Sequence, residues 1–502
     1  MTSIFLSIFQ TIPVELRGLF PEILLATSIL MACVLEWSTD RASKRLVVWF
    51  AAISAFAALA LTMVSGVPVH VESTGFMFAP DVLSHFVRLT VLPATILALL
   101  ALTGSKALAT SDELGESAIL MLSVALGALL FASASNLMSI YLGLEFLSLS
   151  SYGLAGFRAR DARASEAGLK YVLYGGVASA VALFGISHLW GMTGTFEIRE
   201  IGIALSSQPN HLALVPLLLL GAAFAYKLSL VPFHFWSPDV YQGCPTVPAG
   251  LLSTVPKIAG FTALLKAMMA LLPWWGTLAT PQTISVFVAL FAMVSILVGA
   301  VTAGVQKDAK RLLAFSSTAN AGIMLLAFSS WITRDAVAAV GFYLLAYMVA
   351  NLGAFLALDI LEGSAGSTKL SALAGSWKRH PVVVIALAVC VFSLAGIPPL
   401  AGFAGKWSVL AEVVRSSMED GVGRILVVGV IAALFGSVAL AAAYLKLLRA
   451  TVVDDLGADA KEFVAAKPAV LSEIPLFLCV VASVLLGFGW PLLSVFRSHL
   501  GG

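Results

Sequence analysis

The chain has 502 residues, of which 60% are apolar and 11% charged, and its mean hydropathy is +0.99. Soluble domains carry about 25% charged residues, so the three or four soluble domains that the length alone would allow are excluded. A net charge of +2 is too small to suggest nucleic acid as a partner. The four scattered cysteines, Cys33, Cys244, Cys390 and Cys479, have no metal-type spacing and argue against clusters, haem attachment and a disulfide framework.

From the beginning of the chain, Met1 to Pro13 is apolar but lacks a basic n-region and a small-residue cleavage site. It reads as part of the mature chain rather than a signal peptide. A spanning helix needs about 20 mostly apolar residues. Fourteen such segments follow, near 17–37, 46–66, 82–103, 117–134, 136–157, 169–190, 212–242, 246–271, 283–304, 312–330, 335–360, 382–416, 424–448 and 470–494.

Basic residues concentrate in one alternating set of loops, with sixteen there (Arg41, Lys44, Arg158, Lys307, Arg379 and Lys467 among them) against six in the opposite set and the tails. The positive-inside rule places the first set in the cytoplasm and both termini outside.

Two segments are too long for one straight helix and carry breakers near their middles. The seventh contains Val231-Pro232-Phe233, and the twelfth contains Gly396-Ile397-Pro398-Pro399-Leu400-Ala401-Gly402. Proline removes a donor and clashes with the preceding turn, and freed backbone groups inside a membrane must be buried in protein or face a wet cavity. Plain structural kinks are one reading. The other rests on spacing: breaks five spans apart fit an odd-numbered repeat inserted upside down, with an ion site near the breaks.

The expected fold is therefore all-α and integral to the membrane, with about 14 transmembrane helices, two inverted five-helix repeats, and helices 7 and 12 discontinuous. It divides into an N-terminal three-helix segment (1–110), a first repeat of helices 4–8 (115–272), a second of helices 9–13 (283–450) and a C-terminal helix (468–502).

A charged group at mid-bilayer costs about 2.5–3.5 kcal/mol or more and usually marks an ion pathway. Glu145 is central in the fifth span, Lys227 in the seventh and Lys257 in the eighth, and Lys406 follows the break in the twelfth. Three lysines and a carboxylate at one depth form a line of titratable groups. Burial disfavours a lysine's charged form and a nearby carboxylate restores it, so moving Glu145 relative to Lys227 switches whether Lys227 holds its proton. The alternative is a static ion pair stapling two helices.

His234, two residues past Pro232, is a candidate relay between Lys227 and Lys257, or a cap on carbonyls freed at the break. Lys170 pairs with Glu166, either guarding a cytoplasmic entrance or anchoring its helix. Lys266, Lys446 and Arg449 sit near span ends and are expected to snorkel to the headgroups. His188 reads as a satisfied interfacial residue, and Trp274, Trp275 and Trp490 as interfacial anchors. Ser148, Ser229 and Ser253 either support water chains or back-bond within their helices. No Walker loop, dinucleotide fingerprint or His/Cys ligand cluster is present, so any driving force comes from an ion gradient or a partner.

Several stretches carry a family resemblance: Gly143-Leu144-Glu145-Phe146-Leu147-Ser148, Glu166-Ala167-Gly168-Leu169-Lys170-Tyr171, and Lys227 through His234. Others are Ser237-Pro238-Asp239-Val240-Tyr241-Gln242-Gly243, Lys310 through Ser317, and Gly396 through Phe403. From about residue 115 to 450 they resemble the antiporter-like subunits of NADH:quinone oxidoreductase (respiratory complex I), subunit N or subunit 2 in particular. The first three spans and the last match only in number and hydropathy.

The resemblance implies fourteen helices with two inverted five-helix units. It also implies proton transfer through Glu145 and Lys227 as a coupling pair, Lys257 as central carrier and Lys406 as the terminal lysine. No cofactor or metal is expected on this chain; NAD, FMN, iron–sulfur clusters and quinone are implied on partner subunits. The expected surroundings are other membrane subunits and the lipid bilayer. Departures are Cys244 at a position usually small and Val247-Pro248 in reversed order. Alternatives with the same lysines are a subunit of a multisubunit Na+/H+ antiporter, or of a ferredoxin-driven photosynthetic or hydrogenase-type complex. A passive scaffold with static charges is a third.

Overall fold

The computed structural model describes residues 17–38, 44–66, 77–105, 113–158, 160–207, 211–278, 281–329, 333–419, 423–454 and 470–489. The helices in chain order are α1 (Phe20–Ser38), α2 (Lys44–Ser65), α3 (Val82–Leu102), α4 (Leu114–Ser133), α5 (Leu137–Gly156), α6 (Ala162–Thr193), α7 (Ile198–Ser207), α8 (Leu214–Lys227) and α9 (Trp236–Gly243). The second half contains α10 (Thr246–Leu278), α11 (Pro281–Val305), α12 (Ala309–Leu326), α13 (Arg334–Ala365), α14 (Ser376–Arg379), α15 (Pro381–Ala395), α16 (Ala401–Glu419), α17 (Gly423–Val452) and α18 (Val470–Gly487). Among the described residues only isolated bridges, such as Phe78 to Ala134 and Asp308 to Lys369, represent β structure.

Among the described residues, eleven helices are long and apolar enough to cross a membrane, and α8, α15 and Leu471–Gly487 are shorter apolar segments. Together they occupy the fourteen expected spans. Trp490 and the side chains of Trp274 and Trp275 lie outside the described residues, as does the stretch Met1 to Pro13.

Helix ends are set by local chemistry. Asp81 and Asn136 accept from the backbone N–H of Ser84 and Ser139, which answer with their hydroxyls, so α3 and α5 begin in capping boxes. Asp161, Asp308 and Thr333 accept from the first turns of α6, α12 and α13. Gly194 and Gly366, at φ 72° and 70°, end α6 and α13 in the left-handed conformation that glycine adopts without penalty.

With lipid as solvent, helices gain little from the hydrophobic effect and associate through close packing and polar contacts. Gly127 of α4 and Gly143 of α5 show this: a Cβ on either would come within 2.6 Å of the partner's backbone, at Leu147 or Phe131. This close pairing fixes the face of α5 that carries Glu145 and Ser148. The core lies around α12 and α13, fully buried and 94% buried, whereas α1, α6 and α17 are buried over only about a third of their spanning windows. α7, not expected from sequence, is too short to span. It buries Ile198, Ile201 and Leu205 and packs on α10.

Candidate proton-transfer site

The two expected breaks exist, and they are built alike. α8 ends at Lys227, where Leu230 N–H bonds the Ala225 carbonyl at 2.9 Å around Ser229, whose φ is 57°. α15 ends at Ala395, where Ile397 N–H bonds the Phe392 carbonyl at 3.0 Å around Gly396, whose φ is 88°. Each is a left-handed residue closed by a 6→1 hydrogen bond, the geometry of a Schellman turn, and Pro232 or Pro398 then prevents continuation. Ser229 holds a conformation that costs a non-glycine residue about 1–2 kcal/mol.

The same carbonyl is left over at both turns, and a lysine takes it. Lys257, on α10, donates from Nζ to the Leu228 carbonyl, just before Ser229, at 2.8 Å. Lys406, on α16, donates to the Ala395 carbonyl, just before Gly396, at 3.0 Å, and to the Leu394 carbonyl at 2.8 Å. Ser437 of α17 stands 3.5 Å from the same ammonium. Both side chains are buried, at 2% and 5% exposed. The carboxyl end of a helix carries partial negative charge, so each broken helix presents its negative end to one lysine.

Lys227, 1% exposed, is itself the last residue of α8. It does not pair with Glu145. Its Nζ donates to Ser148 Oγ at 3.0 Å, one turn along α5, while Glu145 is the carboxylate whose charge acts on it. Glu145 is half-buried, with Oε1 sequestered and without a hydrogen-bond partner. A static ion pair stapling α5 to α8 is therefore absent in this state.

His234 is buried beside Phe235 and Phe315. Its Nδ1 has no partner, the Pro232 carbonyl adjoins the ring, and no hydrogen bond joins it to Lys227 or Lys257.

Lys170 bonds Glu166 at 2.7 Å and, across to α9, Asp239 at 2.7 Å. Lys266 does not snorkel: it bridges Asp81 at 2.9 Å and the Ala132 carbonyl. Lys446 caps the carboxyl end of α11 through the Gly304 and Gln306 carbonyls at 3.0 and 2.8 Å. Ser253 back-bonds to Gly250 and also accepts from Asn351. Lys310, expected in a loop, is buried, with its ammonium on the Cys244 carbonyl at 2.9 Å.

Sequence reasoning passed over several charged residues. Glu22 and Arg88 form a buried ion pair in which Arg88 Nε donates to Oε1 at 2.8 Å and Nη2 to Oε2 at 2.9 Å. Asp359 is buried with Ser105 as its partner at 2.9 Å, and Glu412 accepts from Thr333 at 2.7 Å. Asp239 gathers Lys170 and Arg311 at the rim of a cavity of about 440 Å³, also lined by Arg163, Glu166, Lys310 and Glu362. The Pro238-Asp239-Val240-Tyr241 motif was the available signal for Asp239. Arg88 and Glu22 stand near span ends, where charge is ordinary.

Residues 134–458 match the family model described as the membrane domain of NADH:quinone oxidoreductase and Mrp antiporters. The chain belongs to this family. An NADH-quinone oxidoreductase subunit N from Anaeromyxobacter sp. is 34% identical over 452 residues, covering 86% of this chain and 87% of that one. A chain of respiratory complex I from Thermus thermophilus superposes with a TM-score of 0.76 at 31% identity, covering 96% of this chain and all of its own. An Mrp complex chain from Dietzia sp. reaches the same TM-score at 20% identity over 97% of each chain, a likeness of fold alone. This is an antiporter-like membrane subunit of the complex I type, and the buried lysines and both broken helices fall inside the matched region.

Proposed function

We propose that this chain translocates protons as a subunit of an H+-translocating NADH:quinone oxidoreductase in a bacterial inner membrane. Quinone reduction and its NAD, FMN and iron–sulfur cofactors reside on partner subunits, and this chain performs no redox chemistry. The observation that carries the reading is the pairing of Lys257 and Lys406 with the negative ends of two similarly broken helices.

An ammonium there gains a charge-assisted hydrogen bond and a favourable dipole, and a neutral amine loses most of both. Each lysine is therefore a site where holding and releasing a proton is coupled to the conformation of the break. Glu145, near Lys227 yet unpaired, supplies the movable charge. Its approach favours the proton on Lys227, and its withdrawal sends that proton towards Lys257. Lys406 releases to the periplasmic side. His234, next to the first break, is the candidate relay between Lys227 and Lys257. Partners are other membrane subunits and lipid, and both termini lie on the periplasmic side.

The test is Lys257→Ala in the native organism, with NADH oxidation by quinone and vesicle acidification followed in inverted membranes. Both should fall while the complex stays assembled. If both are unchanged, the carrier role is wrong. A second reading, a subunit of a multisubunit Na+/H+ antiporter, is supported by the Mrp likeness in fold. It predicts sodium-dependent acidification with no response to NADH.

A further inference from the structure

A buried tryptophan usually finds an acceptor for its indole N–H, and the one that Trp236 has found lies on the far side of the first break. Trp236, the first residue of α9, is buried. Its Nε1 donates to the Tyr226 carbonyl at 3.0 Å, so the bond runs from the start of α9 back to the end of α8, beside Lys227. The Ser229 N–H donates to the same carbonyl at 3.0 Å as part of the Schellman turn. That oxygen is therefore satisfied without the indole, and what the indole adds is a fixed position. Half-helices that meet at a proline have lost the ladder between them. The second break is bridged as well, by Gly402 N–H of α16 on Ser393 Oγ of α15 at 3.0 Å.

The indole is itself held from the side. It stacks on Tyr171 of α6, with ring centroids 4.4 Å apart and 9° between the planes, and its centroid lies 5.3 Å from that of Tyr226. Tyr171 meets Tyr152 of α5 edge-on at 4.8 Å, and its carbonyl accepts from the Tyr226 hydroxyl at 3.2 Å. Glu145, Ser148 and Tyr152 follow at intervals of three and four on α5, so they share one face.

These contacts close a ring. It runs from Lys227 to Ser148, along α5 to Tyr152, across to Tyr171 and Trp236, and back to the carbonyl next to Lys227. The four aromatic side chains are all buried, and Asp239 anchors the rest of α9 to Lys170 and Arg311. Close-packed interiors transmit displacement rather than absorb it, so the ring sets how far the end of α8 stands from α5.

We propose that Trp236, braced by Tyr171 and Tyr226, is the positioning residue of Lys227: it holds the end of α8 where the lysine meets Ser148 and not Glu145. The inference rests on the proton-translocating reading. Trp236 carries no proton itself and acts through the place it gives Lys227. Without the brace Lys227 loses its defined partner, and proton transfer through it slows.

The experiment uses the assembled complex in inverted vesicles, with Trp236→Phe, Trp236→His and Tyr226→Phe beside Lys257→Ala. Assembly is scored by NADH oxidation with an artificial acceptor that bypasses quinone. Phenylalanine keeps a stacking ring and loses the donor. Histidine is smaller, yet its Nε2 falls where the indole Nε1 does, because both five-membered rings join Cβ at the corresponding carbon. A displacement of about 1 Å can cost a reaction about a hundredfold, so acidification should fall by about threefold or more in Trp236→Phe. It should be higher in Trp236→His than in Trp236→Phe, whereas a residue needed only for packing would give the reverse order. Tyr226→Phe removes one oxygen and loosens the same helix end, and acidification should fall there too. Normal acidification in Trp236→Phe, or the reverse order of the two variants, overturns the positioning role. Where neither Trp236 variant assembles, normal acidification in Tyr226→Phe overturns it. Either result with a loss in Lys257→Ala leaves the proposed function standing, and normal acidification in Lys257→Ala overturns both.

Discussion

Lys227, Lys257 and Lys406 were visible in the sequence because charge at the centre of an apolar segment has no ordinary explanation. Their partners were not. Lys257 and Lys406 hold backbone carbonyls and Lys227 holds a serine, and nothing in a one-dimensional pattern marks a carbonyl as an acceptor. Glu22 and Arg88, 66 positions apart, show the same blindness more sharply, since each alone looks like an end-of-span charge. Breaking a buried pair by removing one member costs about 3–5 kcal/mol, while replacing both with apolar residues is often neutral. Arg88→Leu should therefore lower the amount of chain recovered in membranes and its thermal midpoint in detergent, and Glu22→Leu/Arg88→Leu should restore much of both. A double variant as unstable as the single one would mean that the pair does more than satisfy itself.

Among elements, the broken helices were readable from proline and glycine, because those residues act locally. The equivalence of the breaks was not, since one uses Gly396 and the other Ser229 at the left-handed position. α4 and α5 depend on contact rather than pattern. Gly143 has no room for a side chain, whereas Gly176 on α6 has nothing within 4 Å of its virtual Cβ. Overpacking costs about 1–3 kcal/mol, so Gly143→Val should reduce assembled complex, measured by native electrophoresis of solubilised membranes, and Gly176→Ala should not. Equal yields would contradict the close packing of these helices.

Across the whole molecule, Asp239 draws α6, α9 and α12 together at one end through Lys170 and Arg311. These side chains are about a third exposed, where an ion pair is worth about 0–1 kcal/mol. Asp239→Asn should leave the melting temperature nearly unchanged. It would also leave two cations facing a cavity already lined by Lys310 and Lys369. If protons reach the interior there, vesicle acidification should fall in Asp239→Asn, and added salt should narrow the difference by screening. A large drop in melting temperature with normal acidification would make Asp239 a structural tie only.

The sequence by itself determined that this is a membrane protein of about fourteen spans, where two helices break, and which charges lie at mid-depth. Each of those properties is local: hydropathy over about 20 residues, a proline's missing donor, a charge among leucines. Tertiary structure alone decided that Lys257 and Lys406 meet the ends of broken helices, and that Lys227 faces Ser148 rather than Glu145. Those depend on distances between segments many residues apart, set by close packing of small residues in a medium where hydrophobicity does not distinguish one helix face from another.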